Sequence, residues 1–425
     1  MHLLMLLLFV PGCDRLNKTS ANPVTAVTAI PAAPAPLPKI TSAELNHYLN
    51  LVKGYSDSMF KKYRLNGSLL VAKHGEIIYE EYQGYTNPRL KKDSISFNTP
   101  FHLASISKTF TGMGILKLWQ DAKLNIDDSV SHYLEGFPCQ GVTVRMLLDH
   151  RSGIPKYDHY MERLGWNKHK MVSNQDVLDF LIARHKDIQI GKPNRAFSYS
   201  NTNFALLALI IEKVSGMPYA DFMRTTFFEP LGMKDSFVFT KADSSRYMPS
   251  YHTNGRAYAF DFLDWVYGDK NVYSTVRDLM KWDQALHGDS LFTKQTLDAA
   301  YTPYSFEKPG VHNYGLAWRM YCLKNGKKLI YHNGWWHGNR TAFYRLIDED
   351  VTIIALCNND CKKVYTVKEI ADFFGDYMQR TIPEEEMNSS VTHAAHPHHR
   401  KAKHPAKNNL AYKKKTPSRS LAAKK

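Results

Sequence analysis

Apolar positions along the chain change their period twice. Thr41 and Glu44 stand three apart, ahead of Leu45, Tyr48, Leu49 and Val52, which is a capping-box spacing leading into a helical pattern. Two short runs follow, Ser68–Ala72 and Ile77–Tyr82, joined around Lys73-His74-Gly75, and they predict a β-hairpin. From about residue 108 to 300 the pattern is mainly helical with long loops. Within it, Thr202–Ile211 is apolar on every side and ends at Ser215-Gly216, as a buried helix with a glycine C-cap would. Four strand-like runs come next: Leu316–Leu323, Lys328–His332, Arg340–Ile347 and Val351–Cys357. Their turns, Lys324-Asn325-Gly326 and Asp348-Glu349-Asp350, predict an antiparallel meander, and Thr366–Arg380 reads as a last amphipathic helix. Helix and strands at both ends of a long helical stretch predict an α/β fold. In it an antiparallel sheet, shared by N- and C-terminal elements and flanked by helices, carries an inserted, mainly helical lobe.

The two ends lack this patterning. Leu3 to Val10 form an apolar block followed by Pro11-Gly12-Cys13; the block suits the hydrophobic region of a secretory signal and is too short to span a bilayer. A small residue directly before Cys13 resembles the lipobox of bacterial lipoproteins, in which the cysteine is lipidated; an ordinary signal peptide over residues 1–13 is the alternative. Residues 14–40 are rich in Asn, Thr and Ala and include Pro23, Pro31, Pro34, Pro36 and Pro38, the composition of an extended tether. Together these features predict a globular domain at residues 41–382 held at the cell envelope, on the periplasmic side, by an N-terminal lipid anchor.

Composition changes the picture mainly through charge. A hydrophobic share of 44% with 12% aromatics is enough for a sizeable core and excludes a wholly disordered chain. No run of about 20 apolar residues occurs, so the sequence offers no spanning helix. The formal net charge is +15, but residues 391–425 hold ten Lys or Arg and no acid, which leaves +5 for the rest. The tail from 383 to 425 is expected to be disordered. Its readings are adhesion to anionic envelope polymers or nucleic acid, metal capture by His396, His398 and His399, or simple solvation. A nucleic-acid-binding protein would spread basic residues over its folded domain, and here the tail concentrates them, so that class is disfavoured.

Several chemical signatures are absent: no Gly-x-Ser-x-Gly elbow, no Gly-x4-Gly-Lys-Ser/Thr phosphate loop and no His-Glu-x-x-His pair. His332 and His337 lie five apart, a spacing that does not present two ligands on one helix face. No metal or cofactor is expected. What does occur is Ser105-Ile106-Ser107-Lys108 ahead of an apolar helical run (Phe110, Met113, Ile115, Leu116, Trp119). A helix starting at Ser105 puts Lys108 one turn on, on the same face, where a neutral amine could take the serine's proton; a capping serine with a surface lysine is the plainer reading. The helix N-terminus adds N–H groups for an anion forming there.

Tyr199-Ser200-Asn201 opens the apolar run at 202. Its tyrosine is either a core residue with a wet hydroxyl or a phenol whose pKa cationic neighbours lower, and Asn201 either a helix cap or an amide aimed at a substrate carbonyl. His332-Asn333-Gly334 closes a strand just before Trp335. The glycine there would let a substrate backbone lie close, unless the tripeptide is only a turn.

Ser-x-x-Lys, Tyr-x-Asn and His-x-Gly, in this order at 105, 199 and 332, resemble the serine β-lactamase and penicillin-binding-protein superfamily. The branch holding class C β-lactamases, D-alanyl-D-alanine carboxypeptidases and β-lactamase-fold esterases is the most similar. Leu147-Leu148-Asp149-His150-Arg151-Ser152-Gly153, Phe228-Glu229-Pro230-Leu231-Gly232-Met233, Tyr273-Ser274-Thr275 with Asp278, and Tyr314-Gly315-Leu316-Ala317-Trp318 agree with that branch. The resemblance spans about residues 41–382 and implies a β-lactamase/transpeptidase-like fold. It also implies roles: Ser105 as acylated nucleophile, Lys108 as its base, Tyr199 as proton shuttle and Asn201 as substrate ligand. The backbone N–H groups of Ser105 and Trp335 would form an oxyanion hole, with His332, Asn333 and Gly334 lining the substrate edge.

His332 stands where class C β-lactamases have lysine, a form more usual among carboxypeptidases and esterases. The implied substrate is a D-alanyl peptide, with a β-lactam or small ester as alternatives and a non-catalytic sensor on the same fold as the rival class. The Trp335-Trp336 pair is expected either to stack on the acyl part of a substrate or to pack in the core. Ser152-Gly153 and Ser274-Thr275 are expected to be scaffold. Four further cysteines, Cys139, Cys322, Cys357 and Cys361, are free thiols or disulfide partners; Cys322 and Cys357 are placed at strand ends that could adjoin.

Overall fold

A seven-stranded antiparallel sheet organises the chain between residues 39 and 378, the stretch that the computed structural model describes apart from 289 and 290. The signal and lipobox at 1–13, nearly all of the tether and the tail from 383 lie outside the described residues. We number the sheet strands β1 (Gly67–Lys73), β2 (Glu76–Gln83), β3 (His312–Tyr314), β4 (Arg319–Cys322), β5 (Lys328–Trp336), β6 (Asn339–Leu346) and β7 (Val351–Cys357). Their spatial order is β2-β1-β7-β6-β5-β4-β3, so the first and last thirds of the domain do share one sheet. The β1–β2 turn is two residues long, with His74 at φ +52° and Gly75 at φ +71°, the paired left-handed geometry that matches the twist of a tight hairpin.

Central strands β6 and β7 are buried along their whole length, so period-2 alternation divides the apolar side chains between two cores. On one face, Leu69, Val71, Leu329, Tyr331, Tyr344, Ile353 and Ala355 pack with Val52, Met59 and Phe60 of helix α1 (Ser42–Tyr63) and with Val364, Val367 and Ile370. Helix α1 starts at the expected capping box: Glu44 N–H donates to Thr41 Oγ1 at 3.2 Å, and Thr41 N–H donates back to the Glu44 carboxylate at 3.0 Å. On the other face, Leu70, Ile330, Phe343, Ile354 and Leu356 pack against the helical lobe.

Two helices of that lobe carry the site, α2 (Ser107–Gln120) and α3 (Asn201–Ser215). Thr202–Ile211 of α3 is buried throughout, and Gly216 caps it at φ +70° with its N–H on Glu212 O. A fourth helix, α4 (Val276–Ala285), is capped by Thr275, whose hydroxyl accepts from Asp278 N–H.

Four expectations need correction. The run Leu316–Leu323 is broken by a turn in which Gly315 N–H donates to Trp318 O and Ala317 sits at φ +70°, so strand β4 begins only at Arg319. Strand β5 does not stop at His332 but continues to Trp336, which puts the His-Asn-Gly tripeptide inside a strand. The C-terminal segment is a run of 3₁₀ turns over Lys362–Phe373 rather than the expected α-helix from Thr366, whose last two positions, 379 and 380, lie outside the described residues. Finally, Cys322 pairs with Lys328 while Cys357 pairs with Arg340, at opposite ends of the β5–β6 hairpin, so these two cysteines do not adjoin; the four described cysteines are free thiols. A small sheet was not anticipated: Phe101–His102, Val272–Ser274 and Phe237–Val238 pair antiparallel beneath the site.

Candidate active site

Ser105 lies in a 3₁₀ turn, Ala104–Ile106, that runs directly into α2. Apolar burial fixes this helix from both sides, since Phe110 stacks on Trp282 and Met113, Ile115 and Leu116 are in the core. Ser105 itself is partly exposed, whereas Lys108, one turn on, is fully buried. Lys108 Nζ donates to Ser105 Oγ at 3.1 Å and to Asp269 O at 2.8 Å. Two acceptors therefore aim a buried amine at the hydroxyl.

Tyr199 enters from the segment before α3. Lys108 Nζ lies 5.1 Å from its ring centroid, Arg319 Cζ 4.7 Å and Lys156 Nζ 6.0 Å. Burial pushes the phenol pKa up, but the charges of Lys108 and Arg319 outweigh it. Hydrogen bonding to Ser105 and Lys108 adds to their effect, so the pKa sits below the ordinary tyrosine value. His150 holds this segment: its backbone carbonyl accepts from Ser198 N–H at 2.8 Å, its Nδ1 accepts from Ser200 N–H at 3.2 Å, and its ring packs 4.4 Å from Tyr199. Burial, then the Lys108 charge, keeps that imidazole neutral. Asn201, the first residue of α3, is partly exposed and makes no side-chain hydrogen bond to the described residues.

Strand β5 supplies the opposite wall. His332 is fully buried, and burial with the Arg319 and Lys108 charges drives its pKa well below the usual imidazole value. Its Nδ1–H donates to Asn333 O at 2.8 Å, which leaves Nε2 to accept from Tyr314 O–H at 3.4 Å. Gly334 is a close-approach position: a Cβ there would meet Thr341 Oγ1 at 2.1 Å and Leu103 O at 2.3 Å. On its side-chain side, what crowds the glycine is the turn carrying Ser105.

Strand alternation separates the remaining candidates. His332, Gly334 and Trp336 face the helical lobe. Asn333 points to the other face, towards Tyr344, and the Trp335 ring lies 4.1 Å from the Arg340 guanidinium. Asn333 and the Trp335 side chain thus contribute no lining to the cleft; Trp335 can act only through its backbone. Trp336 remains, with its Nε1–H on Asp264 at 2.5 Å and Lys270 Nζ 4.7 Å from its ring. Ser152 and Ser274 are scaffold: the first bonds Asn203 at 2.7 Å and the second Ser236 at 2.7 Å.

The constellation therefore gathers Ser105, Lys108, Tyr199, Asn201 and His332 and leaves Asn333 outside. Sequence reasoning missed Arg319, Lys156, His150 and the Asp269 carbonyl. Arg319 could not be found locally, because it sits on a strand far in sequence from the residues it faces.

Residues 51–370 match the family described as Beta-lactamase, and the chain belongs to it. This is a β-lactamase-fold family of serine hydrolases. Penicillin-binding protein 4* of Bacillus subtilis (strain 168) is 35% identical over 320 residues, which cover 72% of this chain and 70% of that protein. The crystal structure of a penicillin binding protein from Bacillus halodurans aligns with TM-score 0.65 at 22% identity, over 75% of this chain and 98% of that one. D-Amino acid amidase from Ochrobactrum anthropi SV3 aligns with TM-score 0.62 at 24% identity, over 77% and 97%. The fold is the β-lactamase/transpeptidase fold that the motifs imply.

Proposed function

We propose that this protein is a serine hydrolase working through an acyl-enzyme on Ser105, and that its substrate is a peptide ending in D-alanine with a free carboxylate. The observation that carries the reading is the contact of Ser105 Oγ with Lys108 Nζ at 3.1 Å beside a phenol of lowered pKa. Lys108 and Tyr199 act as one acid–base pair. The Lys108 cation stabilises the phenolate, and the phenolate oxygen of Tyr199 takes the serine proton as Oγ attacks the substrate carbonyl. The backbone N–H groups of Ser105 and Trp335 hold the oxyanion, and Tyr199 returns the proton to the leaving amine as the C–N bond breaks. Water then enters by the same route and releases the acyl group, with Asn201 holding the substrate amide.

Arg319 supports the substrate class. It is a partly buried guanidinium with no carboxylate partner among the described residues, and it leans on Tyr199 while His332 stays neutral. A planar cation in that position suits a carboxylate, which it grips by two parallel hydrogen bonds. The name of the Bacillus subtilis relative, a penicillin-binding protein, fits a peptide or β-lactam carbonyl, and the amidase fits a D-configured residue. The envelope location proposed from residues 1–13 is where such peptides are exposed.

The test compares a D-alanyl-D-alanine peptide bearing a free carboxylate with its C-terminal methyl ester, on wild type and Arg319→Gln. The variant should lose about 10–100-fold in kcat/KM on the carboxylate and several-fold less on the ester. Equal losses on both, or turnover of simple esters and β-lactams alone, would contradict the substrate assignment.

A further inference from the structure

The residue before the candidate nucleophile is held in an unusual backbone conformation. Ala104 is completely buried at φ +50°, in the left-handed region that a residue with a Cβ rarely occupies unless its surroundings hold it there. This turn lifts Ser105 out of the small sheet, where Leu103 N–H still donates to Val272 O, and aims it at the cleft. Past that bond the pairing stops, and the Ala104 N–H donates at 3.0 Å to His102 Nδ1.

A neutral imidazole carries one ring proton, so the nitrogen that accepts from Ala104 fixes the tautomer. His102 Nε2–H then donates to Asn271 Oδ1 at 3.0 Å, and Asn271 Nδ2 donates to Asp264 O at 2.7 Å. The Asp264 carboxylate accepts from Trp336 Nε1–H at 2.5 Å and from His337 Nε2 at 3.0 Å. A continuous hydrogen-bonded strap thus runs from the turn below Ser105 to the residues following Trp335. It joins the two segments that carry the proposed oxyanion N–H groups. Burial keeps the His102 pKa down at about 4, so Nδ1 keeps its lone pair.

We propose that His102 is a positioning residue for Ser105: by accepting the Ala104 N–H, it locks the left-handed turn that presents the serine hydroxyl and its backbone N–H to the substrate. The proposal rests on the serine-hydrolase reading above. His102 touches no reacting atom.

Two isosteric variants of the full chain separate the imidazole's two bonds. In His102→Asn the amide oxygen falls where Nδ1 was and keeps the bond to Ala104, losing only the reach to Asn271. In His102→Gln the amide nitrogen reaches Asn271 and the bond to Ala104 is lost. The acylation rate, followed by mass spectrometry with a fluorescent penicillin or a fluorophosphonate, should fall about 10–100-fold in His102→Gln and stay within about threefold of wild type in His102→Asn. Half-saturating probe concentration should change less than about twofold in both.

Ala104→Gly provides the second readout, because glycine adopts positive φ without being held. Adding it to His102→Gln should recover about fivefold or more of the lost rate. This also keeps the proposal testable if His102→Gln alone is unstable. Equal losses in the Asn and Gln variants, a wild-type rate in His102→Gln, or no recovery in the double variant would overturn the assignment. A folded wild type that neither probe acylates would instead remove the underlying hydrolase reading, and the proposal with it.

Discussion

Gly334 shows how closely the two halves of the site are pressed together. Its missing Cβ leaves room for Leu103 O and for Thr341 Oγ1, which itself donates to that same carbonyl at 2.7 Å. Strand β5 therefore rests directly on the turn that carries Ser105. In Gly334→Ala the added methyl has backbone on one side and a hydrogen-bonded hydroxyl on the other, so the strand must move off the turn. We expect a stability loss of about 1–3 kcal/mol in urea unfolding. The acylation rate should fall about 100-fold, because the spacing of the Ser105 and Trp335 N–H groups changes with the strand. A variant that unfolds at the wild-type urea concentration and acylates at the wild-type rate would show that the contact does not set this spacing. His332 makes a related point at the same scale. Its buried, neutral imidazole leaves Arg319 as the strand-borne cation next to Tyr199, so the charge at this wall comes from β4 rather than from the His-x-Gly motif.

Among the elements, α4 is tied to the sheet by charge as well as by packing. The Asp283 carboxylate, buried at the end of α4, pairs with Arg345 of β6 and accepts from Thr352 of β7 and from His287. Burial alone would raise its pKa, but Arg345 and His287 pull it well below the usual carboxylate range. A carboxylate whose folded pKa is depressed stabilises the fold at pH values above its unfolded pKa, near 4. That contribution is lost progressively as pH falls from there towards the lower, folded value. Replacing Asp283 by Asn leaves Arg345, 1% exposed, without its counter-ion, and should cost about 3–5 kcal/mol at pH 7. Urea unfolding at pH 7 and again at pH 3 checks this, with the difference from wild type shrinking at the lower pH. A difference that stays constant would mean that the ion pair is not its source.

The elements also show what could be read from the sequence. Helix α1, the β1–β2 hairpin, α3 with its glycine cap and the β5–β7 meander announce themselves through local period and turn chemistry. The break at Gly315–Trp318 does not, because Ala317 is held at positive φ by a distant partner, its N–H donating to Leu148 O. The 3₁₀ geometry of Lys362–Phe373 likewise follows from packing on the sheet rather than from its own amphipathic pattern.

For the whole molecule, charge and chemistry separate. The ten basic residues of 391–425 account for most of the +15, while the cations that matter to the site, Lys108, Lys156 and Arg319, stand on three separate segments that only the fold brings together. Serine, lysine and tyrosine were recoverable because each sits at a recognisable helix entry. Arg319 and His102 were not, and His150 stood in a quoted motif without a role, since their importance lies in contacts across more than 40 residues of sequence or in a backbone angle that no composition reveals.

The central claim is that Ser105 is acylated with help from Lys108 and Tyr199. Intact-protein mass spectrometry after exposure to a fluorescent penicillin and, separately, to a fluorophosphonate tests it most directly, with peptide mapping of the adduct. We predict a single adduct on Ser105 that is absent from Ser105→Ala and forms at least about 100-fold more slowly in Tyr199→Phe. A folded wild type left unmodified by both probes, or an adduct mapped to any other residue, would contradict the account.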